Sequence, residues 1–162
     1  MAVLLAAVGV VALVIELVPS KNGVAQHFTP GRVQQVTTQR QVPLTRVDRR
    51  QIDAVLDRFV TSAILRHHPI GAWAVSTKGL RAGTTRRQWA RGDVPVFPYP
   101  ARGRHFRNWF TQFSFRKHVG IELGLSPRRG AKVGAAAYEL ELRRVRGAWR
   151  VDSVYLRAIY PR

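Results

Sequence analysis

Apolar residues run without a polar face from Ala2 to Val18, 17 positions interrupted only by Glu16. A helix rises ~1.5 Å per residue and a bilayer core takes about 20 apolar residues, so residues 1–18 are predicted to form a short transmembrane helix. A buried soluble helix would carry polar residues on one side, whereas Val3 to Ile15 offers only Ala, Gly and larger aliphatics. From Pro19 to Leu44 neither helical nor strand period appears, and Gln, Thr, Gly31 and three prolines predict an extended linker over 19–44. Thr45 then stands as an N-cap with Asp48 three residues on, and Ile52, Val55, Leu56, Phe59, Val60, Ala63 and Ile64 recur at helical spacing. That helix should stop near His67-His68, because Pro69 disfavours a helical residue before it. A shorter helical piece is predicted over Gly71 to Leu80, followed by loop to about Arg104, where Gly83, Gly92, Pro95, Pro98 and Pro100 break any period.

Strand patterns take over beyond that loop. Asn108 to Phe115 is aromatic and β-branched, and Val119, Ile121, Leu123 and Leu125 alternate with His118, Gly120, Glu122 and Gly124. Pro127 to Gly130 reads as a turn. Tyr138, Leu140 and Leu142 alternate with Glu139, Glu141 and Arg143, then Arg146-Gly147 turns the chain into a return strand from Trp149 to Arg157. Helices followed by antiparallel strands predict an α+β domain over 45–162, not a doubly wound sheet.

Charge changes the picture more than length does. The 162 residues carry 27 Lys plus Arg against 9 Asp plus Glu, a formal charge of +18, and there is no cysteine for a disulfide, thiolate nucleophile or Cys-type zinc site. Of the cations 23 are Arg, a bias that either a GC-rich genome or bidentate anion contacts would produce. A field this positive draws polyanions: lipid headgroups, cell-wall polymers or nucleic acid.

The order helix, helical turn, proline-rich crossover and antiparallel strands ending in Gly147-Ala148-Trp149-Arg150-Val151-Asp152 resembles the nuclear transport factor 2-like superfamily, the cystatin-like α+β cone. The resemblance covers about residues 45 to 162 and implies N-terminal helices packed on a curved antiparallel sheet. Ala72-Trp73, Leu80 to Gly83, Gln88-Trp89, Gly92-Asp93 and Pro95 to Pro100 are similar to a set of actinobacterial proteins with one membrane anchor, a likeness that supplies no chemistry. In plan, an anchor followed by a cone is similar to TcpC-like conjugation proteins and type IV secretion assembly proteins. That similarity implies a single-pass protein of the cell membrane with its domain outside the cytoplasm. Counting local charges, with Lys21 and Arg32 after the span, favours the opposite side. Gly23-Val24-Ala25 offers small residues for a signal peptidase, but no basic segment precedes the apolar run, so an uncleaved anchor is expected and Met1 is a candidate internal start.

Enzymes on such a cone place acids or bases in the pocket between helix and sheet, and most carboxylates here fail that requirement. Asp48, Asp53 and Asp57 fall off the apolar helix face, and Glu122, Glu139 and Glu141 on the polar strand phase, so solvated ion pairs are expected of them. Asp152 in the last strand is the best catalytic candidate, with Tyr155 or Tyr160 nearby, although period two leaves its face undecided. Phe59, Trp73 and Tyr155 are the candidates to line a pocket. His67-His68 point about 100° apart on a helix and have no carboxylate at ligand spacing; no metal or cofactor is expected, and no Gly-rich phosphate loop or G-x-S-x-G occurs.

From 102 to 118, Arg102, Arg104, Arg107, Arg116 and Lys117 interleave with Phe106, Trp109, Phe110, Phe113 and Phe115. These cations are the candidate anion contacts. The interleaving also suits nucleic acid, by base stacking with phosphate neutralisation, but a strand with one buried face explains it more simply. The expectation is a membrane-tethered, non-catalytic interaction or assembly module with protein partners or a second copy of itself, holding anionic polymers or headgroups by charge. The competing readings are a nucleic-acid-binding module in the cytoplasm and a pocket enzyme or small-ligand binder built on Asp152.

Overall fold

The computed structural model describes residues 40–99, 106–127 and 129–161. The predicted transmembrane helix and most of the linker lie outside the described residues, and among those described no helix is long and apolar enough to cross a membrane. Val42, within the stretch read as linker, donates its backbone N–H to Ser114 O at 2.8 Å and is docked on a strand. Helix α1, Arg46–Phe59, starts with the expected capping box, Asp48 N–H donating to Thr45 Oγ1 at 3.0 Å and Thr45 N–H to Asp48 Oδ2 at 3.3 Å. Ile52, Leu56 and Phe59 are its buried stripe. A π-helical turn, Val60–Ile64, extends it and buries Val60, Ala63 and Ile64. The chain then leaves the helical direction through Arg66 and His68, at φ 61° and 52°.

Two short helices follow. Helix α2, Ile70–Val75, is shorter than the stretch predicted to reach Leu80, because Ser76 and Thr77 leave it for the sheet: Thr77 N–H donates to Val151 O at 2.9 Å. Helix α3, Arg86–Ala90, lies where only loop was expected. Its signal was present as a second capping box, Thr85 with Gln88, which buries Trp89 one position later.

Four strands form one antiparallel meander in the order β1-β2-β3-β4: Phe106–Phe115, His118–Ser126, Ala136–Val145 and Ala148–Ile159. The β3–β4 turn is two residues with positive φ, Arg146 at 51° and Gly147 at 82°, the backbone twist that suits a tight hairpin. The register builds rows across the sheet. Trp109, Leu123, Tyr138 and Leu156 form one on the helix side; Thr111, Ile121, Leu140 and Val154 the next; Ser114, Val119, Leu142 and Val151 a third. Leu123, Ile121, Leu140, Val119, Leu142 and Val151 are fully buried there with the α1 stripe, Ala72 and Trp89.

Irregular register in β1 and β4 reverses the sequence phase. Thr111 pairs Ile121 while Phe113 pairs Gly120, leaving Gln112 over, so Trp109 and Phe113, four apart, occupy opposite faces. Likewise Leu142 pairs Val151 and Glu141 pairs Ser153, leaving Asp152 over. Simple alternation groups Trp149 and Val151 with Ser153 and Tyr155; the bulge groups them with Val154 and Leu156 instead.

Candidate functional site

The α1 acids do more than decorate a solvated face. Asp48, with its side chain 13% exposed, receives Arg144 Nη2 at 2.6 Å and the Trp149 indole N–H at 3.1 Å. Asp53 receives the Trp109 indole N–H at 2.8 Å, and Arg107 bridges Asp57 at 2.8 Å and Asp53 at 3.5 Å. Helix and sheet are therefore clamped at two places by an acid held between an indole and a guanidinium. The Thr45 hydroxyl, above all, together with Trp149 and Arg144, holds the Asp48 carboxyl below its ordinary value against the opposing effect of burial.

Asp152 is equally committed. Thr77 Oγ1 donates to its Oδ1 at 2.7 Å and Arg143 Nε to its Oδ2 at 2.5 Å, so both oxygens of the best catalytic candidate serve to join β3, β4 and the Thr77 turn. The three expected pocket residues are not brought together. Phe59 is buried in the core; Trp73 meets Trp89 edge to face, with Arg81 4.7 Å from its ring centroid; Tyr155 is 64% exposed in the row containing Phe110, Glu122 and Glu139. The space between helix and sheet holds close-packed side chains, Trp89 and Tyr138 the largest among them. Tyr138 donates its hydroxyl to Phe97 O at 3.2 Å, and burial, with Tyr99 adding to it, pushes its ionisation up to about 12. No cluster of three or more His, Asp or Glu able to hold a metal occurs among the described residues.

Of the candidate anion contacts, Arg102 and Arg104 lie outside the described residues. Arg107 is spent on Asp53 and Asp57, its side chain 16% exposed. Arg116 and Lys117 form the β1–β2 turn, and the meander sets that turn at the same end of the sheet as Arg146-Gly147. There they line an open cleft of about 590 Å³ with Arg40, His118, Arg143 and Arg144, its apolar walls supplied by Val42, Phe115 and Val145. Sequence reasoning missed Arg40, Arg143 and Arg144 as members, because two of them come from β3 and one from the stretch read as linker. Arg40, Arg116 and Lys117 make no ion pair among the described residues. Arg143 gives Nε to Asp152, and His118 Nε2 is 3.0 Å from Glu141. Among the described residues no carboxylate lines the cavity. What converges there is a set of cationic donors for an oxyanion, beside the imidazole of His118.

Trp109 and Phe113, two aromatics of the nucleic-acid alternative, do not share a face. Trp109 faces α1 with its N–H on Asp53, whereas Phe113 lies on the other face over Gly120 and 5.5 Å from Phe115, ring centroid to centroid.

A four-stranded meander with helices laid across one face defines an α+β protein of the cystatin-like class. The chain is similar to the crystal structure of a protein of unknown function with a cystatin-like fold from Nostoc punctiforme: 19% identity, TM-score 0.50, covering 71% of this chain and 93% of that one. That likeness shows the fold. No protein-family model and no curated protein matches the chain.

Proposed function

We propose that this chain is a membrane-tethered, non-catalytic binding module that holds an anionic partner in the basic cleft at the turn end of its sheet. The observation that carries the reading is the division of charge. Every described carboxylate except Glu122 is engaged by an Arg, His, Thr or Trp side chain, while Arg40, Arg116 and Lys117 stand unpaired around one cavity. A catalytic reading needs a free acid or base at a cavity, and Asp152, the strongest candidate, is tied on both oxygens. The membrane tether rests on the apolar run 1–18, and the placement outside the cytoplasm, as part of a larger envelope assembly, on the similarity in plan to TcpC-like proteins.

Binding of the full-length protein to heparin, a generic polyanion, tests the cleft. Affinity should fall steeply with added salt and should drop sharply in a double charge reversal, Arg116→Glu with Lys117→Glu. Binding that ignores salt or survives the reversal would defeat the reading. Fractionation tests the tether: recovery of the intact full-length chain in the soluble fraction would remove it, and protection of the domain from protease in sealed cells would move it to the cytoplasm.

A further inference from the structure

The chemistry of the cleft narrows its ligand. We infer that it seats the phosphate of an anionic phospholipid headgroup, giving the domain a second and reversible hold on the bilayer; the inference rests on the binding reading above and names its ligand.

Three features point to a headgroup. The donors suit phosphate: the guanidinium of exposed Arg116 offers a fork that matches phosphate oxygens, and Lys117, Arg40 and Arg143 add positive charge around the same cleft. The rim is amphipathic. Val42 is 46% exposed and Val145 38% exposed beside those cations, so cationic groups and aliphatic side chains are presented together, as a bilayer's headgroup and acyl boundary requires. Phe115, the phenyl ring of the cleft, already packs on Phe113 at 5.5 Å and has His118 at 6.5 Å, so much of its surface is engaged within the protein and it serves as an apolar wall.

The chain has no cysteine, so Ala148→Cys, at an exposed position just past the β3–β4 turn, takes a single environment-sensitive fluorophore. Full-length labelled protein in lipid nanodiscs should show a blue-shifted emission when the discs contain phosphatidylserine and not when they are wholly phosphatidylcholine, and added salt should reverse the shift. Arg116→Gln with Lys117→Gln should lower the ratio of docked to undocked protein roughly 30-fold, about five-fold for each cation removed from the surface. Both residues are exposed and unpaired, so thermal melting of the variant should match that of the parent. An equal shift in both kinds of disc, or no effect of the double substitution, overturns the inference. Displacement by millimolar inorganic phosphate alone makes the source a soluble oxyanion instead of a lipid, and saturable capture of a single-stranded oligonucleotide through the same two residues makes it nucleic acid; either overturns it. Heparin binding without any response to anionic discs removes the headgroup and leaves the binding module standing. Loss of both removes both.

Discussion

The Trp149 indole, rooted in the last strand, donates to Asp48 Oδ1 at 3.1 Å in the first turn of α1, and Asp48 simultaneously closes the capping box on Thr45. One carboxylate thus starts the helix and fastens it to the sheet. Asp48→Ala should cost about 2–3 kcal/mol in urea denaturation, since it removes charge-assisted hydrogen bonds that are largely shielded from water. Asp57→Ala, whose side chain is 70% exposed, should cost less than about 1 kcal/mol, and equal losses would contradict the clamp. The Asp48 carboxyl titrates below its ordinary 3.8 in the folded protein, so its stabilisation is complete above that value and disappears as pH falls through the depressed one. Asp48→Asn should flatten that acid limb.

Gly120 lies directly beneath Phe113 on the face opposite the helices. A Cβ at Gly120 would collide with Cε1 and Cζ of the Phe113 ring, so Gly120→Ala should destabilise by about 1–3 kcal/mol. Combining it with Phe113→Ala should remove most of the penalty in a double-mutant cycle. Additive losses would mean that the ring is not what limits the position.

Tyr138 predicts an alkaline transition. Its ionisation is raised to about 12 from 10.0, so the unfolded chain loses this proton first, and stability conferred below pH 10 is lost as pH rises through the folded-state value. Absorbance titration should show tyrosine ionising together with unfolding in this range. Tyr138→Phe should shallow the dependence while costing about 1 kcal/mol at neutral pH through the lost bond to Phe97 O. An unaltered alkaline limb in that variant would place the cause elsewhere.

Asp152 should behave as a fastening. In native-state hydrogen exchange, Asp152→Ala should speed exchange at the Thr77 and Leu80 amides about ten-fold, as expected when a hydrogen bond contributing about 1.4 kcal/mol is lost. These amides donate to Val151 O at 2.9 Å and to Thr77 Oγ1 at 3.2 Å, within the turn that Asp152 anchors. Unchanged protection there would show that the turn holds without it.

Local chemistry was enough for much of the architecture. The Thr45–Asp48 capping box, the Ile52–Leu56–Phe59 stripe, the clean alternation of Val119 to Leu125 and of Tyr138 to Leu142, and the Arg146-Gly147 turn are each written within a few neighbouring residues, and each was legible as sequence. The Thr85–Gln88 box was equally local but lay among glycines and prolines that masked it. What the sequence could not show are relations between distant segments. Whether Trp109 and Phe113 share a face depends on a single residue of slip against β2, and whether Asp152 is a free acid depends on Thr77 and Arg143 meeting it. The basic cleft has the same origin. Arg40, Arg116 and Arg143 are scattered along the chain, and only the meander, by bringing two hairpin turns and the start of the domain to one end of the sheet, places these cations around a common cavity, because register and strand order are properties of pairing and not of any one strand.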